Sequence, residues 1–315
     1  MRQATLVRGR LAEHPLWWRA LSSSGLGPRV IRPAIVSARV EDRERVPDAP
    51  FLERLSITEL VRDARQAASE GIAGLLLFGH SDRKDETAML ASERDHVVSR
   101  AIHAVKDAAP DLAIATDVCV CAYTPHGQCV LFKEGNADVE GTLSRLAEIA
   151  LVHVDAGADL VIPSGMLEGS VRALRVALAG AGHEKTPVAG VVKLASHAYA
   201  AHRRAVEATP VTEPAVPLVA ADDREATRAR ATRDVAAGAD AIVVKPGLST
   251  LDLVSLVAQT ADRPVIAYHT ADEHGLFQAN EEMADSEALE RESIVASRRA
   301  GAELIISYAA VDTEG

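Results

Sequence analysis

One phrase recurs along the chain. Residues 156–164 read Ala-Gly-Ala-Asp-Leu-Val-Ile-Pro-Ser, residues 237–246 read Ala-Gly-Ala-Asp-Ala-Ile-Val-Val-Lys-Pro, and residues 300–308 read Ala-Gly-Ala-Glu-Leu-Ile-Ile-Ser-Tyr. A related form, Glu70-Gly71-Ile72-Ala73-Gly74-Leu75-Leu76-Leu77-Phe78, occurs early. In each, a helical pattern ends at a glycine and a short continuous apolar run follows. Glycine suits the left-handed backbone that closes a helix. A strand apolar on both faces must be covered on both faces, as in a parallel sheet wrapped by helices. The phrase therefore marks the seam of a repeated helix-to-strand unit.

Eight such apolar runs lie near residues 31–37, 73–78, 112–118, 159–164, 188–193, 241–245, 264–268 and 303–308. Helical patterns fill most of the gaps, at about 56–70, 92–109, 139–156, 168–181, 198–208, 223–237, 249–260 and 284–300. The first is opened by Ser56-Ile57-Thr58-Glu59, a capping-box pattern. Eight βα units predict an α/β fold, a (β/α)8 TIM barrel over residues 29–315 with a short N-terminal arm over residues 1–28. A doubly wound sheet is the alternative, but no Gly-x-Gly-x-x-Gly turn follows the first strand. Trp17 and Trp18 sit in the arm. Leaving two indoles in water is costly, so the arm packs either on a neighbouring subunit, as an oligomer contact, or on its own barrel.

Composition narrows the function. The net charge of −11 and the lack of a basic block argue against nucleic acid as a partner. No apolar run reaches bilayer length, and Met1 to Arg10 has no signal-peptide pattern, so no membrane partner and a cytoplasmic location are expected. Three cysteines cannot form a disulfide framework and suit a reducing compartment.

In such barrels chemistry sits where strands end. That rule selects Asp117 to Cys121, Ser164, Lys193, Lys245, Tyr268 and Tyr308. All three cysteines, Cys119, Cys121 and Cys129, fall in one strand-end loop. Buried inert thiols are the bland reading. Three thiolates converging there would instead bind a soft divalent ion such as zinc and leave one position open, the mark of a catalytic site. Lys193 and Lys245 each close an apolar strand, on consecutive strands. Burial and mutual repulsion lower the pKa of such amines, and a neutral amine is what imine formation with a ketone requires. The bland alternative is that each lysine reaches solvent or a carboxylate. The cationic run Arg224 to Arg233 reads as a solvated helix face.

From about Arg32 to Asp312 the chain resembles the porphobilinogen synthase (5-aminolevulinate dehydratase) family. The resemblance is carried by Thr116-Asp117-Val118-Cys119-Val120-Cys121-Ala122-Tyr123-Thr124-Pro125-His126-Gly127 and by Val244-Lys245-Pro246-Gly247-Leu248. Lys84-Asp85-Glu86, Pro163-Ser164, Lys193-Leu194-Ala195-Ser196, Ala267-Tyr268-His269 and Ser307-Tyr308 support it. It implies a lyase that joins two 5-aminolevulinate molecules into porphobilinogen with loss of two waters. Lys245 would hold the first substrate as a Schiff base and Lys193 the second. Asp117 would act beside them. Ser164, Tyr199, Arg203, Tyr268 and Tyr308 would bind substrate. Cys119, Cys121 and Cys129 would hold a catalytic zinc; magnesium has no support in the sequence. It also implies a homo-oligomer: a dimer, hexamer or octamer.

The chain departs from that family at the groups that grip substrate carboxylates. Ala271 stands for a serine, Ala198 for a phenylalanine, Gly165 for an aspartate and Thr250 for a tyrosine. The lid stretch, Thr209 to Ala221, lacks the expected arginine and glutamine. Three readings follow: porphobilinogen synthesis, the same double-imine chemistry on another amino ketone or carbonyl compound, and a catalytically silent homologue.

Overall fold

The repeated phrase builds a closed barrel. The computed structural model describes residues 9–81, 83–213, 215–279 and 285–310. Residues 1–8 of the expected arm, and Asp312 at the end of the resemblance, lie outside them. The barrel strands are β1 (Val30–Ser37), β2 (Gly74–His80), β3 (Ala113–Asp117), β4 (Leu160–Ile162), β5 (Ala189–Lys193), β6 (Ala241–Lys245), β7 (Val265–Tyr268) and β8 (Leu304–Ile306). Each pairs in parallel with its sequence neighbour, β8 pairs with β1, and a parallel bridge from Val161 to Val188 joins β4 to β5. Helices Ile57–Ser69, Val97–Ala108, Val139–Asp155, Ser170–Gly180, Arg224–Ala236, Leu251–Thr260 and Ser286–Ala300 alternate with the strands.

The phrase has a structural meaning at each repeat. Gly157, Gly238 and Gly301 have φ of 109°, 101° and 117°, the left-handed turn that ends the helix. The acid two residues later then binds the start of the neighbouring strand. Asp159 accepts from the Ile114 N–H (2.7 Å), Asp240 from Val188 (3.0 Å) and Glu303 from Val265 (2.8 Å). These N–H groups at the barrel rim are satisfied by the carboxylates.

The described part of the arm lies across this same end. Trp17 is fully buried in its own barrel and donates from Nε1 to the Asp159 carbonyl at 2.9 Å, while Trp18 is 52% exposed. Leu11 is buried with it, and the Arg10 N–H donates to Asp240 at 3.0 Å. One indole of the pair therefore packs on its own chain.

Several local expectations need correction. The expected helix 198–208 is a short helix, Ala200–Ala205, ended by Glu207 in the left-handed region at φ 53°. An unexpected helix, Ala271–Gln278, opens with a full capping box between Thr270 and Glu273. At Ser56 only half a box forms: its hydroxyl accepts from Glu59 N, but the Glu59 carboxylate turns to Arg43 and Arg62. Two hairpins, Arg43–Val46 with Ala49–Leu55 and Leu131–Lys133 with Asn136–Asp138, occupy segments to which the sequence assigns no element. Three of their strands have only three or four residues, and in Ala49–Leu55 the apolar run is interrupted by Glu53 and Arg54. The run Arg224 to Arg233 is not wholly solvated. Arg230 is buried, 3.1 Å from Asp234 and donating to the Met166 carbonyl at 3.1 Å.

Candidate active site

At the opposite end of the barrel, β5 and β6 finish in register, with Lys193 beside Lys245. Both are 8% exposed and both line one cavity. Strands apolar on both faces leave each terminal lysine nowhere to run but into this mouth. Lys193 Nζ lies 4.6 Å from the Tyr199 ring centre and Lys245 Nζ 5.3 Å from that of Tyr268. An aromatic face steadies a cation without supplying a proton acceptor. The Tyr199 hydroxyl donates to the carbonyls of Leu194 (2.8 Å) and Lys245 (3.1 Å), which pins it across the two strand ends. Burial, then the charge of Lys193, lowers the Lys245 amine to about 8, against the pull of Asp117. Near neutral pH a usable fraction is then uncharged.

Asp117 ends β3 and lines the same cavity. Burial raises its carboxyl to about 6, while a hydrogen bond from Ser164 and the two lysine charges oppose the rise. Its Oδ1 has no hydrogen-bond partner in the protein and is available to a ligand.

The cysteine loop runs on from β3. The Sγ atoms of Cys119, Cys121 and Cys129 lie within 4.8 Å of one another, Cys119 and Cys121 at 3.3 Å. Hydrogen bonds from Cys119 and Cys121 lower the Cys129 thiol, despite burial, while the same contacts and burial raise Cys119, and Cys129 and burial raise Cys121. Three soft donors this close fit a soft divalent cation. Gly165, at the end of the β4 loop, is demanded by this packing. A Cβ there would stand 2.8 Å from Cys129 Cβ.

The cavity thus gathers Asp117, Cys121, Cys129, Ser164, Lys193, Tyr199, Arg203, Lys245 and Tyr268. Cys119 belongs to the sulfur cluster without lining the cavity. Tyr308 does not line the cavity. It lines a neighbouring hollow with Arg32 and Phe51 and stacks on His274 at 5.5 Å.

Sequence reasoning missed Phe78, Gln128 and His202, which also line the cavity. His202 packs edge-on against Phe78 at 4.4 Å; burial, then the charges of Lys245, Lys193 and Arg203, holds it neutral, near 3. Its signal was present: Tyr199, His202 and Arg203 are spaced i, i+3, i+4, one helical face. Ala198 and Ala271 line the cavity as small apolar surfaces.

Comparison with known proteins agrees with this geometry. Residues 9–314 match the family model for delta-aminolevulinic acid dehydratase. The delta-aminolevulinic acid dehydratase of Methanothermobacter thermautotrophicus is 36% identical over 314 residues, covering 97% of this chain and 95% of that protein. The Archaeoglobus fulgidus protein of that name is 33% identical, covering 95% and 94%. A crystal structure of the Toxoplasma gondii enzyme with its reaction product porphobilinogen superposes with a TM-score of 0.86 at 28% identity, over 97% of this chain and 90% of that one. Carboxyl transferase domains of Rhizobium etli pyruvate carboxylase share only the barrel, at a TM-score of 0.53 and 13% identity. With the family model spanning almost all of the chain and relatives matched end to end, the chain belongs to the delta-aminolevulinic acid dehydratase family.

Proposed function

We propose that this chain is a porphobilinogen synthase, a lyase that condenses two molecules of 5-aminolevulinate. The observation that carries the reading is the in-register pair Lys193 and Lys245, both buried and both facing one cavity. Each amine adds to a substrate ketone, and the adduct loses water to leave an imine. Two ketones held on adjacent strand ends react as an intramolecular pair, which removes most of the entropic cost of the encounter. The lowered Lys245 amine is the better placed to react first. Asp117, with a carboxyl near 6 and a free oxygen, can take and return protons between the two sites. Arg203, 5.9 Å from the Tyr199 ring on the same helical face, supplies a cation for a substrate carboxylate. Tyr199 and Tyr268 wall the imines from water, and Ser164 positions Asp117. Cys119, Cys121 and Cys129 would hold zinc, which when bound supplies Lewis acidity toward the second substrate. Residues 29–315 serve as the catalytic barrel. In the arm, residues 1–28, the described residues 9–28 close the barrel's base through Trp17 and offer Trp18 to a neighbouring subunit of a homo-oligomer. Among the described residues no helix is long and apolar enough to cross a membrane.

The test is incubation of purified protein with 5-aminolevulinate, with and without zinc, under a thiol reductant. Zinc-stimulated porphobilinogen by mass spectrometry, with a borohydride-trapped adduct on Lys245 or Lys193, supports the reading. Metal-loaded protein that yields neither product nor adduct sinks it.

A further inference from the structure

The lid of this cavity carries no arginine or lysine between Arg204 and Arg224, so it has no cation with which to close on a substrate carboxylate. Its described residues, 209–213 and 215–221, are nevertheless down. Pro210, Val216 and Leu218 line the cavity from above. At its far end the Val219 N–H donates to the Lys193 carbonyl at 3.1 Å, and its carbonyl accepts from the Ala195 N–H at 2.7 Å. Val216 packs with Val130 and Leu167 in a small apolar cluster.

Its near end is held by the Gln128 side chain. Gln128, between Gly127 and Cys129, is 2% exposed. Its Nε2 donates to the Glu213 carbonyl (2.9 Å), the Thr212 hydroxyl (3.0 Å) and the Thr212 carbonyl (3.2 Å), and its Oε1 accepts from the Ala215 N–H at 3.1 Å. Only one orientation of the amide satisfies two carbonyls and one N–H. The backbone beside it is shaped for the contact. The Val211 N–H donates to the His126 carbonyl at 3.3 Å, and Gly127, at φ 65°, comes so close that a Cβ would stand 2.7 Å from the Thr209 oxygen.

We infer that Gln128 is a positioning residue that fastens the lid to the cysteine loop by the protein's own hydrogen bonds, so that the lid stands closed before substrate arrives. Closure is then linked to the state of the loop that carries Cys129 rather than to substrate charge. The inference concerns the cavity of the proposed function, but its test needs no turnover, so each can fail without the other.

Amide hydrogen exchange of the full-length protein, without substrate, reads the lid directly. Peptides covering residues 209–221 should be protected in the wild type. Gln128→Met keeps the length and burial of the side chain and removes all four contacts. It should speed lid exchange about tenfold while peptides from β6 and β7 stay unchanged. Chelation of metal should speed lid exchange in the wild type and add nothing further in Gln128→Met. Should that variant misfold, Ala215→Pro removes one of the bonds from the lid side, away from the cysteines, and should speed lid exchange about twofold to threefold. In turnover, a loosened lid raises KM for 5-aminolevulinate more than it lowers kcat. A lid that exchanges freely in the wild type, or equally slowly in wild type and Gln128→Met, overturns the inference.

Discussion

At the N-terminal ends of the barrel strands, buried charges are matched; at the C-terminal ends they are held in waiting. Asp159, Asp240 and Glu303 each accept a backbone N–H, and Asp159 and Asp240 also pair with Lys106 (2.5 Å) and with Arg175 and Arg10. Across the barrel, Asp117 keeps an oxygen without a partner, and Lys245 is lowered by burial and by a second lysine beside it. The same kinds of residue thus do opposite work at the two rims. A charge with its partners in place contributes stability and has no reactivity left to offer. A charge buried without them costs stability and acquires a pKa near the working pH.

Substitutions at the two rims should therefore separate activity from stability. Lys245→Met should reduce product formation by on the order of 10⁴-fold or more, with an unchanged melting temperature or a raised one, since removing an unmatched buried cation relieves the fold. A variant that kept a tenth of the activity would break the contrast. Cys129→Ala should lose bound metal and cut activity by roughly 10²-fold or more, measured by metal analysis alongside the product assay. Asp240→Ala should do the reverse. It leaves Arg175 buried without its carboxylate and should cost about 3–5 kcal/mol in denaturant titration, while kcat/KM of the folded fraction stays within about twofold. The smallest effect is in pH dependence. Imine trapping at Lys245 needs the neutral amine, so its yield should rise as pH climbs through about 8. Lys193→Met removes a neighbouring positive charge, so the midpoint should move to higher pH by up to about one unit. A shift to lower pH would show that Lys193 does not act on Lys245 through charge.

How much of this was legible in the sequence differs between the rims. The eight strands were readable because each is a continuous apolar run behind a glycine, a local signal that burial on both faces enforces. The lysines and cysteines were readable because they stand at strand ends, where such runs break off into polar residues. Tyr308 follows β8 as Tyr268 ends β7 and lies beside it, bordering a hollow with Arg32 and Phe51 and stacking on His274. The hairpins were hidden because three of their strands span only three or four residues and Glu53 and Arg54 interrupt the apolar run of Ala49–Leu55, and the helix Ala271–Gln278 was passed over although Thr270 and Glu273 carry its capping pattern.

By itself the chain determined the order and number of its units, the side chains that end each strand, and the chemistry those side chains can perform. Those properties are set by periodicity, by backbone sterics at glycine and by functional-group type, which act over a few residues. The tertiary structure decided which of these groups meet. Lys193 and Lys245, 52 residues apart in number, become neighbours only through the register of β5 and β6, and Gln128 meets Thr212, Glu213 and Ala215 only through the fold of two loops. Contacts over such separations depend on barrel closure and on which buried groups find partners, a balance struck across the whole core.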